Sequence, residues 1–158
     1  MDRSWLGAMA LLLSVAALTT SGRADPLHNI RAVKLTMPDV GEAGTECGLS
    51  RERLELAFFE PLAERGLEAV DSGTGYRLFL RATTIAYLEQ ACVSYVEAQL
   101  LLTTRYQDAA NQQERSGHVQ LWSDGGLHVS DRREHGDTVE RAMRRLGGNL
   151  AARWDAAN

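Results

Sequence analysis

The sequence has little cysteine, almost no lysine and no cluster of basic residues. Its 158 residues include two cysteines and three prolines, and Lys34 is the single lysine among 17 basic residues. The formal charge is −4 at pH 7. A net acidic chain without a basic stripe argues against nucleic-acid binding, because such proteins neutralise phosphates with clustered Lys and Arg.

The residue spacings typical of catalytic and metal sites are also missing. No Gly-x-Ser-x-Gly elbow, P-loop, His-x-His, His-Glu-x-x-His or Cys-x-x-Cys occurs in the chain. Neither histidine nor a basic residue lies close to Cys92 in the sequence to lower the pKa of its thiol, which disfavours a nucleophilic role. We therefore predict no catalytic residue, no metal ligand and no cofactor.

The N-terminus has the pattern of a secretory signal peptide. Arg3 supplies a positive charge, Trp5–Leu18 is an uncharged and mostly apolar run, and the small residues Gly22 and Ala24 precede Asp25. The apolar run is shorter than the roughly 20 residues that a membrane-spanning helix needs. We predict cleavage near Ala24 and a periplasmic or secreted protein; an uncleaved N-terminal anchor is the alternative.

Residues 25–158 are then predicted to form a single domain with no membrane span. This length suffices for one hydrophobic core and is short for two. Residues 1–24 hold one acidic and two basic residues, so their removal takes the formal charge to −5. The remaining chain contains no sequence repeat.

The first half of this domain is predicted to alternate strand and helix. Alternating apolar residues favour a strand over Ile30–Met37, and a loop with three glycines follows at Asp39–Leu49. Ser50 is the expected N-cap of a helix, which Pro61 should kink near its end. Leu67–Val70 is expected to form a short strand.

A long β-hairpin is predicted next. In Tyr76–Leu88 and Cys92–Tyr106 the apolar residues recur at even positions, which gives each strand one apolar face. A three-residue loop would place Leu88 opposite Cys92, with the even positions of both strands toward the core. A slip of one residue would pair core positions with outward positions, so the pattern selects this register.

The chain is predicted to end with a further hairpin and a helix. His118–Trp122 and Leu127–Ser130 read as strands around an Asp124-Gly125-Gly126 turn. The helix is expected to begin at Asp137, with Glu140 completing a capping box. Its apolar stripe comprises Val139, Met143, Leu146, Leu150 and Trp154.

This order of elements predicts an α+β fold, a two-layer sandwich in which two amphipathic helices cover one face of a mainly antiparallel sheet. In element order the chain resembles small periplasmic accessory domains, such as the curli-secretion lipoprotein family and the N-terminal domain of the Tol-system propeller protein. That resemblance implies binding to partner proteins rather than catalysis. No cysteine lies near the predicted cleavage site to carry a lipid anchor.

Cys47 and Cys92 are predicted to form a disulfide, because thiols of exported proteins tend to pair in an oxidising compartment. On the entropic model, such a bond would stabilise the fold by about 4 kcal/mol. Simple topology opposes it: if the first two strands are parallel, Cys47 would lie near one end of the sheet and Cys92 near the other, and the loop from Asp39 would have to fold back across the sheet edge. Two separate buried thiols are the alternative.

The outward face of the long hairpin is unusual, because it keeps apolar residues where a solvated sheet face carries polar ones. We predict that this face binds an envelope protein or a second copy of the chain. The predicted contact residues are Phe79, Ile85, Tyr87, Tyr95 and Leu101. Ordinary strand formers, which stabilise cross-strand pairs, would give the same pattern.

Three hypotheses about function follow. The first is a non-enzymatic exported protein that acts through protein–protein contact, with a role in envelope assembly or maintenance. The second is a small secreted hydrolase, which would need at least two of His118, His128, Asp124 and Glu97 in one pocket. The third is a carrier of a small ligand or metal.

Overall fold

The computed structural model describes residues 25–87 and 90–158. The predicted signal peptide lies outside these residues, and so does Leu88. Within them, five strands form one open sheet with helices packed against it, which confirms the predicted α+β fold. The elements in chain order are β1 (Ala32–Thr36), α1 (Gly41–Glu46), α2 (Arg51–Ala63), β2 (Glu68–Ala69), β3 (Tyr76–Tyr87), β4 (Ala91–Gln107), β5 (Glu114–Asp131) and α3 (Arg132–Asp155).

The strands lie in the order β2-β1-β3-β4-β5. β3, β4 and β5 are long and antiparallel, whereas β1 pairs in parallel with both β2 and β3. The predicted short strand at Leu67–Val70 is present, but it does not form a hairpin with β3. Residues 70–75 instead lead from one side of β1 to the other, and the Thr74 hydroxyl donates a hydrogen bond to the Ala32 carbonyl (3.0 Å).

This parallel arrangement explains the disulfide. Cys47 and Cys92 are bonded, with their Cα atoms 6.2 Å apart. Because β1 runs in the same direction as β3, its end and the β3–β4 turn lie at the same end of the sheet. The short helix α1, which the sequence pattern did not reveal, then carries Cys47 to the start of β4. The topological objection was wrong because β1 is parallel to β3 as well as to β2.

The register of the long hairpin differs from the predicted one by two residues. Ala86, not Leu88, lies opposite Cys92, and Leu80 lies opposite Ala98. A shift of two residues leaves every side chain on its predicted face, since side chains along a strand alternate with a period of two. The inner face, which the helices cover, is accordingly buried: Leu78, Leu80, Ala82, Cys92, Ser94, Val96, Ala98 and Leu100.

The predicted last hairpin is wrong. Residues 114–131 form one strand that pairs with β4 along its whole length, with a bulge at Leu121. Gly125 is required there by close packing rather than by a turn, since a Cβ atom at this position would lie 2.7 Å from the Val96 carbonyl oxygen. The turn between β4 and β5 lies in the polar segment of residues 108–113.

Helix α2 begins as predicted, with the Ser50 hydroxyl accepting a hydrogen bond from the Arg53 amide. Helix α3 begins at Arg132, earlier than predicted. The acidic pair that suggested a capping box, Asp137 and Glu140, binds the Arg53 guanidinium of α2 instead. The predicted apolar stripe of α3 is buried, so α2 and α3 share one layer over the inner face.

Glycine allows the closest approach between these helices. A Cβ atom at Gly147 would lie 2.0 Å from the Phe58 carbonyl oxygen of α2, which is far inside van der Waals contact. The neighbouring Gly148 faces open space. Of the two adjacent glycines, Gly147 is therefore the one at which α3 packs closely on α2.

Candidate partner-contact surface

Three of the predicted contact residues lie together on the outer face. Ile85, Tyr87 and Tyr95 are exposed large side chains near the β3–β4 turn. Their positions follow from the strand alternation that buries Leu80 and Ala82 on the opposite face of β3. No described residue covers these three side chains, and their contact with a partner stays a prediction.

The other two predicted contact residues are separate from this group. Phe79 and Leu101 are only partly exposed, and they lie toward the other end of the sheet. Between the two groups, the Arg81 guanidinium donates a hydrogen bond to the Glu97 carboxylate (2.6 Å). The five predicted residues thus do not form one continuous apolar surface.

Strand β5 adds two exposed residues that the sequence analysis placed in a detached hairpin. Leu127 lies opposite Tyr95, and Val129 lies opposite Val93, which itself pairs with Ile85. Alternation in β5 puts these side chains outward and turns Trp122 and His128 toward the helices. The outer patch, as we call it below, therefore spans three strands: Ile85, Tyr87, Val93, Tyr95, Leu127 and Val129.

The outer patch is large and well exposed for a group of apolar side chains. Five of its six members are between 42% and 66% exposed. Polar groups border it at both ends: the Arg81–Glu97 ion pair on one side, and Asp131, opposite Ala91, on the other. An apolar centre with a polar rim is the usual composition of a protein–protein contact surface.

Gly125 shapes one border of the outer patch. A Cβ atom there would lie 3.2 Å from the Tyr95 hydroxyl oxygen, so the tyrosine side chain reaches across this glycine toward the edge of the sheet. Any larger residue would push the ring away. The patch consequently continues to the outermost strand.

The inner face contains a polar cluster that the sequence analysis missed. His135 is fully buried; its Nε2 lies 2.7 Å from the Ser94 hydroxyl and its Nδ1 lies 2.7 Å from the Ser130 hydroxyl. Thr84 continues the chain of hydrogen bonds to Ser94 (2.7 Å). The signal was present, since His135 stands one helical turn before Val139 and extends the apolar stripe of α3.

Burial lowers the pKa of His135, because it disfavours the charged imidazolium, and the nearby His128 acts in the same direction. Burial also lowers the pKa of His128, with a further contribution from Arg145. In both rings burial favours the neutral imidazole. Ser94 and His135 are fully buried and Ser130 is partly buried, so the cluster is a polar part of the packing between α3 and the sheet.

The residues that a hydrolase would need lie on two different faces. Glu97 and His118 point outward, whereas Asp124 and His128 point toward the helices. A surface cavity of about 490 Å³ is lined by Gln90 and by the charged run Asp131–Glu134, which includes none of these four. Among the described residues, no three His, Cys, Asp or Glu side chains are placed to share a metal ion.

Comparison with known proteins finds structural neighbours of low sequence identity and no family. No protein-family model matches it, and no curated protein matches it. A PelC dodecamer from Paraburkholderia phytofirmans is similar in structure at 15% identity, over 85% of this chain and 95% of that chain, with a TM-score of 0.49. The minor lipoprotein from Acinetobacter baumannii is similar at 9% identity, over 82% and 93%, with a TM-score of 0.42.

At such identities and TM-scores the likeness does not bear on what the chain binds, and the resemblance to the Tol-system domain stays a prediction. None of the helices in the described part of the chain combines the length and apolar character that crossing a bilayer requires.

Proposed function

We propose that this chain is an exported, non-enzymatic protein that acts by binding another envelope protein through the outer patch. The observation that carries the proposal is the outer patch itself: six apolar side chains on three adjacent strands, bordered by charges and left uncovered by the described residues. Monomeric proteins seldom expose apolar patches of this kind without a contact function.

The disulfide supports the export part of the proposal. Disulfides persist in oxidising compartments and are rare in the cytosol, and Cys47 and Cys92 are both fully buried in bonded form. The signal-peptide pattern at residues 1–24 points to the same compartment. Protein recovered from the envelope should then have an intact mass that begins at Asp25.

The hydrolase and carrier hypotheses gain no comparable support. The polar side chains that either would need are divided between the two faces of the sheet. The 490 Å³ cavity is lined by exposed charges rather than by apolar walls with a few converging polar groups, which is the composition of most ligand sites.

A charge in the outer patch tests the proposal. Ile85→Glu places a carboxylate at the centre of the patch, and Leu56→Glu is the matched control, because Leu56 is equally exposed (69% against 63%) but lies on α2. Crosslinking in the native envelope, followed by mass spectrometry, should identify one partner for the wild type and for Leu56→Glu. Its crosslinks should map to the outer patch.

Capture of that partner should fall by about tenfold or more in Ile85→Glu, as expected for a charge buried at a contact hot spot. Circular dichroism should show that all three proteins remain folded. Unchanged capture by the folded Ile85→Glu protein would show that the outer patch is not the contact surface.

A further inference from the structure

Strand β5 forms the long free edge of the sheet. It contains 18 residues, whereas the strand at the opposite edge, β2, contains two. Among residues 25–87 and 90–158, no strand pairs with the outer side of β5. An edge strand presents a row of backbone N–H and C=O groups that can pair with another strand.

The part of β5 that follows the bulge lacks the usual protection of an edge. Proteins commonly place lysine, proline or a bulge in such strands to prevent pairing. Ser123–Ser130 contains no lysine, arginine or proline, and the bulge at Leu121 precedes it. Its one carboxylate, that of Asp124, accepts a hydrogen bond from the Asn149 amide of α3 (2.8 Å).

We propose that β5 pairs antiparallel with β5 of a second copy of this chain, with Leu127 of each copy at the two-fold axis. The two sheets then form one continuous sheet of ten strands. Val129 of each copy lies opposite Gly125 of the other, and Asp131 lies opposite Ser123.

The alternation of side chains limits the possible registers. Residues directly opposite in an antiparallel pair point to the same side of the sheet, so an odd residue must meet an odd residue if both outer patches are to share one face. A shift by one residue would turn the second copy over and place its helices beside the first copy's outer patch.

Among the registers that remain, the one centred on Leu127 places the two leucines opposite each other. A centre at Val129 would place Leu127 opposite Asp131, and a centre at Gly125 would place it opposite Ser123. A centre at His128 would pair Leu127 with Val129, but it would oppose two half-buried histidines on the helix side. With Leu127 at the axis, Val129 of each copy lies opposite Gly125 of the other copy. The Tyr95 side chain of that other copy lies over this glycine.

The shape of the sheet also favours a second copy over an open chain of copies. Within the described part of the chain each molecule has a single long free edge, so pairing through β5 uses that edge in both copies and closes at two. The two outer patches merge across the axis into one apolar surface of twelve side chains. The inference goes beyond the proposed function, because it concerns the backbone edge and the second copy rather than the envelope partner.

Cysteine substitution at the axis tests the register. Leu127→Cys places two thiols opposite each other, with Cα atoms about 5 Å apart, within reach of a disulfide. Val129→Cys is the control because it is equally exposed (63% against 66%) on the same strand. Its two copies would be four residues apart along the strands, about 13 Å, which is too far to bond.

Light scattering on the exported wild-type protein should give twice the mass of one chain. Mild oxidation should convert Leu127→Cys to a covalent dimer on a non-reducing gel, with at least tenfold less from Val129→Cys. A monomeric mass, a higher oligomer, or equal crosslinking of the two variants would each overturn the proposal. A dimer that captures no envelope protein would instead refute the proposed function, and a monomer that still captures it would refute only the edge pairing.

Discussion

The two faces of the central sheet carry similar apolar side chains in different surroundings. On the inner face, Leu80 and Val96 are fully buried under α2 and α3. On the outer face, Ile85 of β3 and Leu127 of β5 belong to the same sheet but are covered by no described residue. The strand propensity and the alternation of the sequence are the same for both faces. An apolar pattern in a strand therefore indicates a face that will be covered, but only the position of the helices shows which of the two faces is covered within the folded chain.

The largest expected difference is in stability, between a side-chain truncation on the inner face and one on the outer face. Leu80→Ala removes a side chain that is fully buried, and we expect it to lower the free energy of unfolding by about 2–5 kcal/mol. Ile85→Ala, at 63% exposure on the outer face, should change it by less than about 1 kcal/mol. Urea denaturation of both variants measures the difference. Equal losses would mean that the outer face is also packed within the monomer.

The second comparison lies inside the helical layer and uses two adjacent glycines. Gly147→Ala forces a methyl group into the Phe58 carbonyl, so we expect a loss of about 2–3 kcal/mol as α3 moves away from α2. Gly148→Ala meets no atom and improves helix propensity, which should stabilise the protein by up to about 1 kcal/mol. Thermal unfolding of the two variants should therefore shift in opposite directions. A shared direction would contradict the close approach of the helices at Gly147.

The smallest expected effect concerns the polar cluster of the inner face. The pKa of His135 is lowered in the folded protein, so the unfolded chain binds a proton more readily between the two pKa values. The contribution of the neutral His135 ring to the free energy of unfolding should be fully present above the pKa of histidine in the unfolded chain, which is about 6.5. It should decrease as the pH falls below that value. His128, whose pKa is also lowered, adds to the same trend.

His135→Gln tests this dependence, because glutamine can still bind Ser94 and Ser130 but does not titrate. The loss of thermal stability between pH 7.5 and pH 5.0 should be smaller in this variant than in the wild type. The exposed His118, replaced by glutamine, serves as the control and should leave the loss unchanged. An acid-induced loss as large in His135→Gln as in the wild type would exclude His135 as its source.

Much of the inner layer could be predicted from local sequence. Ser50 marks the start of α2, the stripe from Val139 to Trp154 marks the buried side of α3, and alternation assigns Leu80 and Val96 to the covered face. These features depend on residues that are close together in the chain. A single capping side chain marks a helix start, and the period of the apolar residues marks the buried face.

The errors arose where distant residues decide the structure. Gly125 and Gly126 suggested a turn, but Gly125 is small because Val96 and Tyr95 of the neighbouring strand come close to it. Asp137 suggested an N-cap, but its carboxylate binds Arg53 on another helix (3.1 Å). In both cases local chemistry and a tertiary contact favour the same residue type, so the sequence alone does not distinguish them.

The same limit applies to the candidate surface. Ile85, Tyr87 and Tyr95 could be predicted because hairpin alternation places them outward. Leu127 and Val129 could not be assigned to the same surface, since that required knowing that β5 pairs with β4. Phe79 and Leu101 shared the alternation, but the Arg81–Glu97 ion pair separates them from the others.

The two ends of the described chain meet at one place. The Asn158 side chain accepts a hydrogen bond from the Asn29 amide (2.9 Å), and the Trp154 indole donates one to the Ile30 carbonyl (3.0 Å). This place adjoins the start of β1, about 30 Å along the strands from Ile85. A tether, tag or fused protein joined at Asp25 or Asn158 would therefore leave the domain far from Ile85, and the region around Ile85 would be free to approach a facing molecule.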